Sequence, residues 1–179
     1  DGNNAPSIYS GVGNTADKAS NERTANLVKI VEDLGIKEPR ILEVGCNAGR
    51  NLNGLFEAGF RKITAIEISQ DAIDQMKKDF PQAYSNSELH CGPAEEILPK
   101  FENNSFDVVF TMAVLQHIHS DSINEITKEI CRVSNSYLLI NEAETYASWR
   151  HFPRSYRTIF SKLGAKFIKR NRGTRIFKK

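Results

Sequence analysis

The chain of 179 residues has few cysteines, no long apolar run and no acidic residue in its last 35 positions. No stretch approaches the roughly 20 apolar residues that a membrane-spanning helix needs, so we expect no membrane span. The first residues are polar and glycine-rich, unlike a secretory leader. Cys46, Cys91 and Cys131 are too few and too far apart for a disulfide framework. We therefore expect reduced thiols and a cytoplasmic location.

The charge of the chain is distributed unevenly. Thr145 to Lys179 contain 11 of the 24 basic residues and none of the 22 acidic ones, which leaves 13 basic and 22 acidic residues before Thr145. This asymmetry bears on partners more than on fold, because a positive end attracts anionic substrates or nucleic acid. The 40% of hydrophobic residues is otherwise typical of a globular protein.

Short apolar runs alternate with amphipathic helical patterns along the chain. Residues 1–19 are predicted to be a flexible N-terminal arm, and residues 20–179 a single domain with one core. The spacing of apolar residues predicts strands at 40–46, 62–69, 87–94, 106–115 and 136–143. Helices are predicted at 21–34, 47–59, 69–80 and 120–133, and from Pro153 to Gly164. Two further strands flank an Asn-Arg-Gly turn at 171–173, which is typical of a hairpin.

This alternation favours parallel strands joined by right-handed crossovers, with helices on both faces of the sheet. We therefore predict an α/β fold, namely a doubly wound Rossmann-like sheet of about seven strands with a C-terminal antiparallel hairpin. In such sheets ligands bind beyond the carboxyl ends of the strands, where the strand order reverses.

The loop after the first predicted strand carries the clearest binding signal. Gly45 and Gly49 would allow a tight turn and a close approach of the backbone to a ligand. Glu43 could face a cationic group, and Glu67, at the end of the next strand, could accept hydrogen bonds from both hydroxyls of a ribose. The glycines do not form the GxGxxG pattern of dinucleotide loops, so a nucleoside with a cationic tail is favoured. In the alternative interpretation, these glycines only pack helix against strand.

Four segments resemble the class I S-adenosylmethionine-dependent methyltransferases. They are LEVGCNAGRNL at 42–52, AIEIS at 65–69, CGPAEEILP at 91–99 and FDVVFTMAVLQHI at 106–118. The resemblance extends from about Leu27 to Lys179 and implies S-adenosylmethionine as cofactor, with S-adenosylhomocysteine as product. Two positions depart from the family pattern: Asn47 stands where glycine is common, and Pro93 replaces the usual acidic residue at the adenine end.

The resemblance also implies which residues contact the cofactor. They are Glu43, Gly45, Cys46, Asn47 and Gly49 at the methionine end, Glu67 and Ile68 at the ribose and adenine, Ala94 and Glu95 at the adenine edge, and Met112 beside the methionine chain.

The methyl acceptor is predicted to bind next to the fourth strand. Transfer from a sulfonium needs mainly alignment, but an alcohol acceptor must also lose a proton, and His117 is the candidate base. Alternatively, His117 only lines the pocket. Arg150, His151 and Arg154 are candidate ligands of an anionic group, since Pro153 is expected to open a helix whose N-terminus favours anions. Alternatively, they form a solvated basic face. No metal site is predicted.

The sequence therefore predicts methyl transfer, as O-methylation, to a small anionic acceptor of phosphorylated or sugar type. One alternative is an RNA or protein methyltransferase that docks its substrate on the basic C-terminal region. Another is a non-catalytic cofactor-binding module of a larger assembly. A nicotinamide-dependent oxidoreductase is a more distant alternative.

Overall fold

The computed structural model describes residues 18–145, 147, 148 and 151–179. In this part of the chain seven helices and seven strands are found. The helices are α1 (Lys18–Asp33), α2 (Arg50–Glu57), α3 (Gln70–Asp79), α4 (Pro81–Ser85), α5 (Ala94–Ile97), α6 (Ser120–Val133) and α7 (Tyr156–Lys162). The strands are β1 (Ile41–Val44), β2 (Ile63–Glu67), β3 (Ser87–Cys91), β4 (Phe106–Met112), β5 (Ser134–Asn141), β6 (Lys166–Asn171) and β7 (Thr174–Lys178).

The strands form one sheet in the order β3-β2-β1-β4-β5-β7-β6. The first five in this order are parallel, and β7 runs antiparallel between β5 and β6. The predicted α/β sheet with a C-terminal antiparallel hairpin is confirmed. Its strand order reverses between β1 and β4, so the loops that follow these two strands diverge and leave a crevice at this edge.

Both faces of the sheet are covered, which explains why β1 is an uninterrupted buried run rather than an alternating one. Leu42 and Val44 belong to the core beneath α6 and α7, with Ile126 and Phe160. Ile41 belongs to the opposite core, which α1 and α2 cover. None of the helices in the described residues combines the length and apolar character needed to cross a membrane.

Several boundaries differ from those predicted. Pro81 ends α3 as expected, but it also opens the short helix α4, because proline suits the first position of a helix. The predicted fourth strand ends at Met112, and the chain continues into a 3-10 turn at Leu115–His117. Helix α5 was not predicted, since four residues are too few to show helical periodicity.

The starts of α7 and α1 also differ from the predicted ones. Pro153 does not open α7, which begins at Tyr156 after the N-cap Ser155, whose hydroxyl accepts a hydrogen bond from the Thr158 N–H. At the other end of the chain, residues 1–17 of the predicted arm lie outside the described residues, and α1 begins at Lys18.

Candidate active site

The loop between β1 and α2 turns through three left-handed residues. Gly45, Asn47 and Gly49 have φ angles of 78°, 50° and 75°. Asparagine tolerates this conformation better than most residues, which explains why it replaces a glycine here. A Cβ on Gly45 would overlap the side chain of Val114, and one on Gly49 would overlap Met76. The two glycines are thus required by both backbone conformation and space.

Glu43 places a buried carboxylate beneath this loop. Its Oε1 accepts a hydrogen bond of 2.7 Å from Asn51 Nδ2, whereas its Oε2 is buried without a hydrogen-bond partner among the described residues. Burial raises the pKa of Glu43 to about 8, although the Asn51 hydrogen bond and the charge of Arg50 oppose the shift. A buried unpaired oxygen is costly, so the position is suited to a cationic ligand group.

Three residues that the sequence did not single out support Glu43. The Thr24 hydroxyl donates to Asn51 Oδ1 at 2.7 Å, and Arg50 Nε donates to the same hydroxyl at 3.0 Å. Asn51 is itself buried, with 5% of its surface exposed. A polar residue one turn into a predicted helix after the glycine loop was the available signal, but its partner in α1 could not be read from sequence.

Glu67, at the end of β2, is joined to the same loop. Its Oε2 accepts a hydrogen bond from the Asn47 N–H at 2.7 Å, and its Oε1 accepts one from the Ser69 N–H at 3.0 Å. A carboxylate has about four lone-pair positions, so each oxygen can accept one further hydrogen bond. The side chain can therefore hold the loop and still receive two ligand hydroxyls.

The predicted adenine side lies next to β2. Ile68 is an exposed large apolar side chain, with 60% of its surface accessible. The Gly92 N–H donates to the Glu67 carbonyl at 2.9 Å and holds the β3–α5 connection beside it. Ala94 and Glu95 begin α5, where the first N–H groups have no acceptor within the helix. These features provide an apolar surface and free backbone donors.

Two further residues predicted to contact the cofactor are Cys46, which is part of the loop, and Met112, at the end of β4. Cys46 is buried, and burial raises the pKa of its thiol well above the ordinary value, which favours the neutral thiol. Met112 was predicted to contribute its backbone carbonyl. In the structure its sulfur also lies here, 3.7 Å from Asn51 Nδ2.

The chain after β4 brings His117 to the same edge of the sheet. Ala113 adopts a left-handed φ of 58°, Val114 packs on Gly45, and the 3-10 turn follows. The His117 ring lies 4.5 Å from the His151 ring, centroid to centroid. The structure thus brings together the predicted base and one predicted acceptor ligand.

Hydrogen bonds orient both imidazoles. Gln116 Oε1 accepts from the Ala143 N–H at 2.7 Å, which fixes the amide and turns its Nε2 towards His117 Nε2 at 3.2 Å. An amide nitrogen only donates, so this pairing assigns the proton of neutral His117 to Nδ1. His151 Nδ1 lies 2.7 Å from the Ser148 hydroxyl.

The other predicted acceptor ligands are placed differently. Arg150 lies outside the described residues. The Arg154 guanidinium donates to the carbonyls of Leu115 at 3.0 Å and Ile118 at 2.6 Å, so it contacts the 3-10 turn. The predicted helix start at Pro153 is wrong, because α7 begins at Tyr156 and Glu144 already accepts from the Tyr156 N–H at 2.8 Å. Binding of an anion by Arg150, His151 and Arg154 stays a prediction.

The remaining histidines have other partners, and the His119 ring lies 5.3 Å from the Phe152 ring, next to this group. His90 is paired with Glu88 at 3.0 Å, and His119 caps α6. In the part of the chain that is described, no group of three or more His, Cys, Asp or Glu side chains could hold a metal ion.

Comparison with known proteins agrees with this geometry. A family model described as a methyltransferase domain matches residues 41–136, more than half of the chain. A Haemophilus influenzae protein described as uncharacterized is 24% identical over 108 residues, which are 59% of this chain and 43% of that protein. The chain therefore spans less than half the length of that relative.

Solved structures show the same fold. The PH0226 protein of Pyrococcus horikoshii has a TM-score of 0.75 and 15% identity, over 96% of both chains. A Burkholderia thailandensis 1,6-didemethyltoxoflavin N1-methyltransferase has a TM-score of 0.73 and 15% identity, over 97% of this chain and 84% of that one. Magnesium protoporphyrin IX methyltransferase of Synechocystis PCC 6803, with bound S-adenosylhomocysteine, has a TM-score of 0.70 and 14% identity, over 88% and 81%.

Proposed function

The chain belongs to the class I S-adenosylmethionine-dependent methyltransferases, and from this membership we propose that it methylates a hydroxyl of a small anionic acceptor beside His117. The observation that carries the proposal is the pairing of His117 with His151 at 4.5 Å, on the segments that follow β4 and β5. In this proposal a base and a polar acceptor ligand lie together beyond the ends of two strands, next to the point where the strand order reverses.

The residues beneath the glycine loop fit the family's cofactor. The unpaired Oε2 of Glu43 suits the ammonium of its methionine end, and Glu67 retains acceptor capacity for the ribose hydroxyls. Ile68 offers an apolar surface to the adenine, and the first N–H groups of α5 suit its ring nitrogens. When bound, S-adenosylmethionine supplies a methyl group on a sulfonium, which is already an activated leaving group.

The protein's own contribution is alignment and proton removal. Nε2 is the basic nitrogen of neutral His117, so it would take the acceptor hydroxyl's proton once the Gln116 amide is displaced. His151, whose ring lies 4.5 Å from that of His117, would help to orient the acceptor. The basic segment after β5, with Arg150 and Arg154, would favour an acceptor that carries phosphate or another anion.

Small acceptors agree with related proteins of this fold. The two related enzymes that are named for their substrates act on magnesium protoporphyrin IX and on 1,6-didemethyltoxoflavin. In this proposal, the described residues of the segment between β5 and α7 contribute to the acceptor side of the site.

The test is transfer of labelled methyl groups to a panel of phosphorylated sugars and their unphosphorylated counterparts. We expect turnover of phosphorylated members only. Arg150→Ala should then raise the activation free energy that kcat/KM measures by about 1.5–3 kcal/mol, which is the contribution of a charge-assisted hydrogen bond. Arg172→Ala, which removes the same charge at the exposed hairpin turn, should not. Equal turnover of neutral members would contradict the anionic acceptor.

The basic C-terminal hairpin favours a second candidate, docking of RNA. Lys166, Lys169 and Arg170 are exposed on β6, at the edge of the sheet. Methylation of RNA should show a steep fall with salt, because bound phosphates release counterions, whereas a small acceptor should show a shallow one. Activity on RNA but on no member of the panel would replace the first proposal by this one.

A further inference from the structure

The turn that carries His117 is held by a carboxylate from the chain after β5. Glu142 is buried, and its two oxygens accept hydrogen bonds from the Val114 N–H at 3.0 Å and the Gln116 N–H at 3.1 Å. Burial raises the pKa of Glu142, and the hydrogen bonds that its oxygens accept oppose this shift because they stabilise the ionised carboxylate. The N–H side of the turn is therefore fixed by a single side chain that lies 26 to 28 residues away in sequence.

The carbonyl groups of the same turn are bound by a cationic side chain. Arg154 donates through Nη1 to the Leu115 carbonyl at 3.0 Å and through Nη2 to the Ile118 carbonyl at 2.6 Å. Between these two contacts, the Phe152 N–H donates to the Gln116 carbonyl at 2.9 Å. The planar fork of arginine can reach two acceptors at once, which the single ammonium of lysine cannot do in the same geometry.

The turn needs this support because it is short and strained. A 3-10 turn of three residues has poor internal hydrogen bonding. Ala113, which leads into it, has a φ of 58° and no glycine to relieve the strain. Strained positions persist where surrounding contacts over-determine them, and they cluster at functional sites. Hydrogen bonds that Glu142 accepts from the N–H groups and that Arg154 donates to the carbonyl groups of one turn provide such over-determination.

We infer that Glu142 and Arg154 are positioning residues that hold His117 in its catalytic orientation, an inference that rests on the proposed function. They act through the backbone of the turn, whose N–H groups bind Glu142 and whose carbonyl groups bind Arg154. Both come from the segment that also carries His151. The acceptor side of the site is therefore one unit, assembled from the chain after β4 and the chain after β5.

The direct test is Arg154→Lys. Lysine keeps the positive charge that an anionic acceptor would experience but cannot bridge both carbonyls. We expect kcat to fall by about ten- to a hundredfold, the cost of misplacing a catalytic group by about 1 Å, with the acceptor KM unchanged. Arg157→Lys is the matched control, because Arg157 is exposed and stacks on Phe167, away from the turn. A raised KM with unchanged kcat would assign Arg154 to the acceptor and overturn the positioning role.

Repeating the substitution in a His117→Ala background separates positioning from general support of the fold. If Arg154 acts through His117, Arg154→Lys should have no further effect on kcat there. An equal loss in both backgrounds would overturn the inference. Glu142→Gln, which replaces one accepting oxygen by an amide NH₂, should behave in the same way where it folds.

Nuclear magnetic resonance of the imidazole nitrogens gives a result that does not depend on turnover. Arg154→Lys should shift the His117 resonances and leave those of His90, which pairs with Glu88 at the far end of the sheet order, unchanged. Unchanged His117 resonances would contradict the inference. A shift in a protein that methylates no acceptor would leave the positioning role intact and reject the proposed function instead.

Discussion

The loop after β1 and the segment after β5 border the same crevice, but they are held in place differently. Residues 45–49 are fixed largely by their own backbone, through three left-handed residues and hydrogen bonds to the adjacent strand β2. In the segment after β5, Glu142 and Arg154 bind the turn after β4 through their side chains. Binding of the cofactor and alignment of the acceptor should therefore be separable by mutation.

The largest expected effect is on methyl transfer to the acceptor, without an effect on cofactor binding. His117→Ala should lower the rate by roughly 10²–10⁴ if His117 removes the acceptor proton, with cofactor affinity unchanged. Steady-state rates across pH, together with calorimetric binding of S-adenosylhomocysteine, check both parts. A near-normal rate would reduce His117 to a residue that lines the pocket.

Gly45→Ala should impair both cofactor binding and alignment of the acceptor, because the new Cβ meets Val114 on the turn after β4. We expect the free energy of unfolding to fall by about 1–3 kcal/mol from strain and overlap together. Gly59→Ala is the matched control: its φ is 96°, but a Cβ there meets nothing within 4 Å, so it adds backbone strain alone.

Thermal unfolding of Gly45→Ala and of the double variant Gly45→Ala/Val114→Ala completes this test. Truncating Val114 should restore part of the lost stability and cofactor affinity, because the overlap disappears while the backbone strain remains. Equal destabilisation by Gly45→Ala and Gly59→Ala would show that the contact with Val114 is unimportant.

The smallest effect concerns a proton at Glu43, whose pKa in the free protein is about 8. A ligand ammonium favours the ionised carboxylate, so binding at about pH 7 should release up to about one proton, and affinity should rise with pH towards 8. Calorimetry in buffers of different ionisation enthalpy measures this release. Glu43→Gln should remove it, whereas unchanged release would place the titrating group elsewhere.

The loop after β1 could be predicted from the sequence more fully than the segment after β5. The runs that became β1 and β2, the glycine pair and the carboxylates Glu43 and Glu67 were all recognisable, since their spacing along the chain determines their proximity in the fold. Asn51 and Thr24 were not, because their hydrogen bond joins α1 to α2 and no local pattern records it.

The segment before α7 was the least predictable part. Pro153 resembled a helix start, but Ser155 caps the helix and Glu144 accepts from its first N–H, so the boundary depends on a partner twelve residues away. Arg154 was predicted as an acceptor ligand from its charge. That role remains a prediction, and the structure adds its contacts with the turn of His117.

Calorimetric titration of S-adenosylhomocysteine into the wild type and Glu67→Ala tests the central claim most directly. We expect binding to one site in the wild type and roughly ten- to a hundredfold weaker binding in Glu67→Ala, about 1.4–2.7 kcal/mol, because two ribose hydroxyls lose a charged acceptor. Glu125→Ala, which removes an exposed carboxylate on α6, should bind as the wild type does. Wild-type affinity in Glu67→Ala, or tighter binding of NAD than of S-adenosylhomocysteine, would contradict the account.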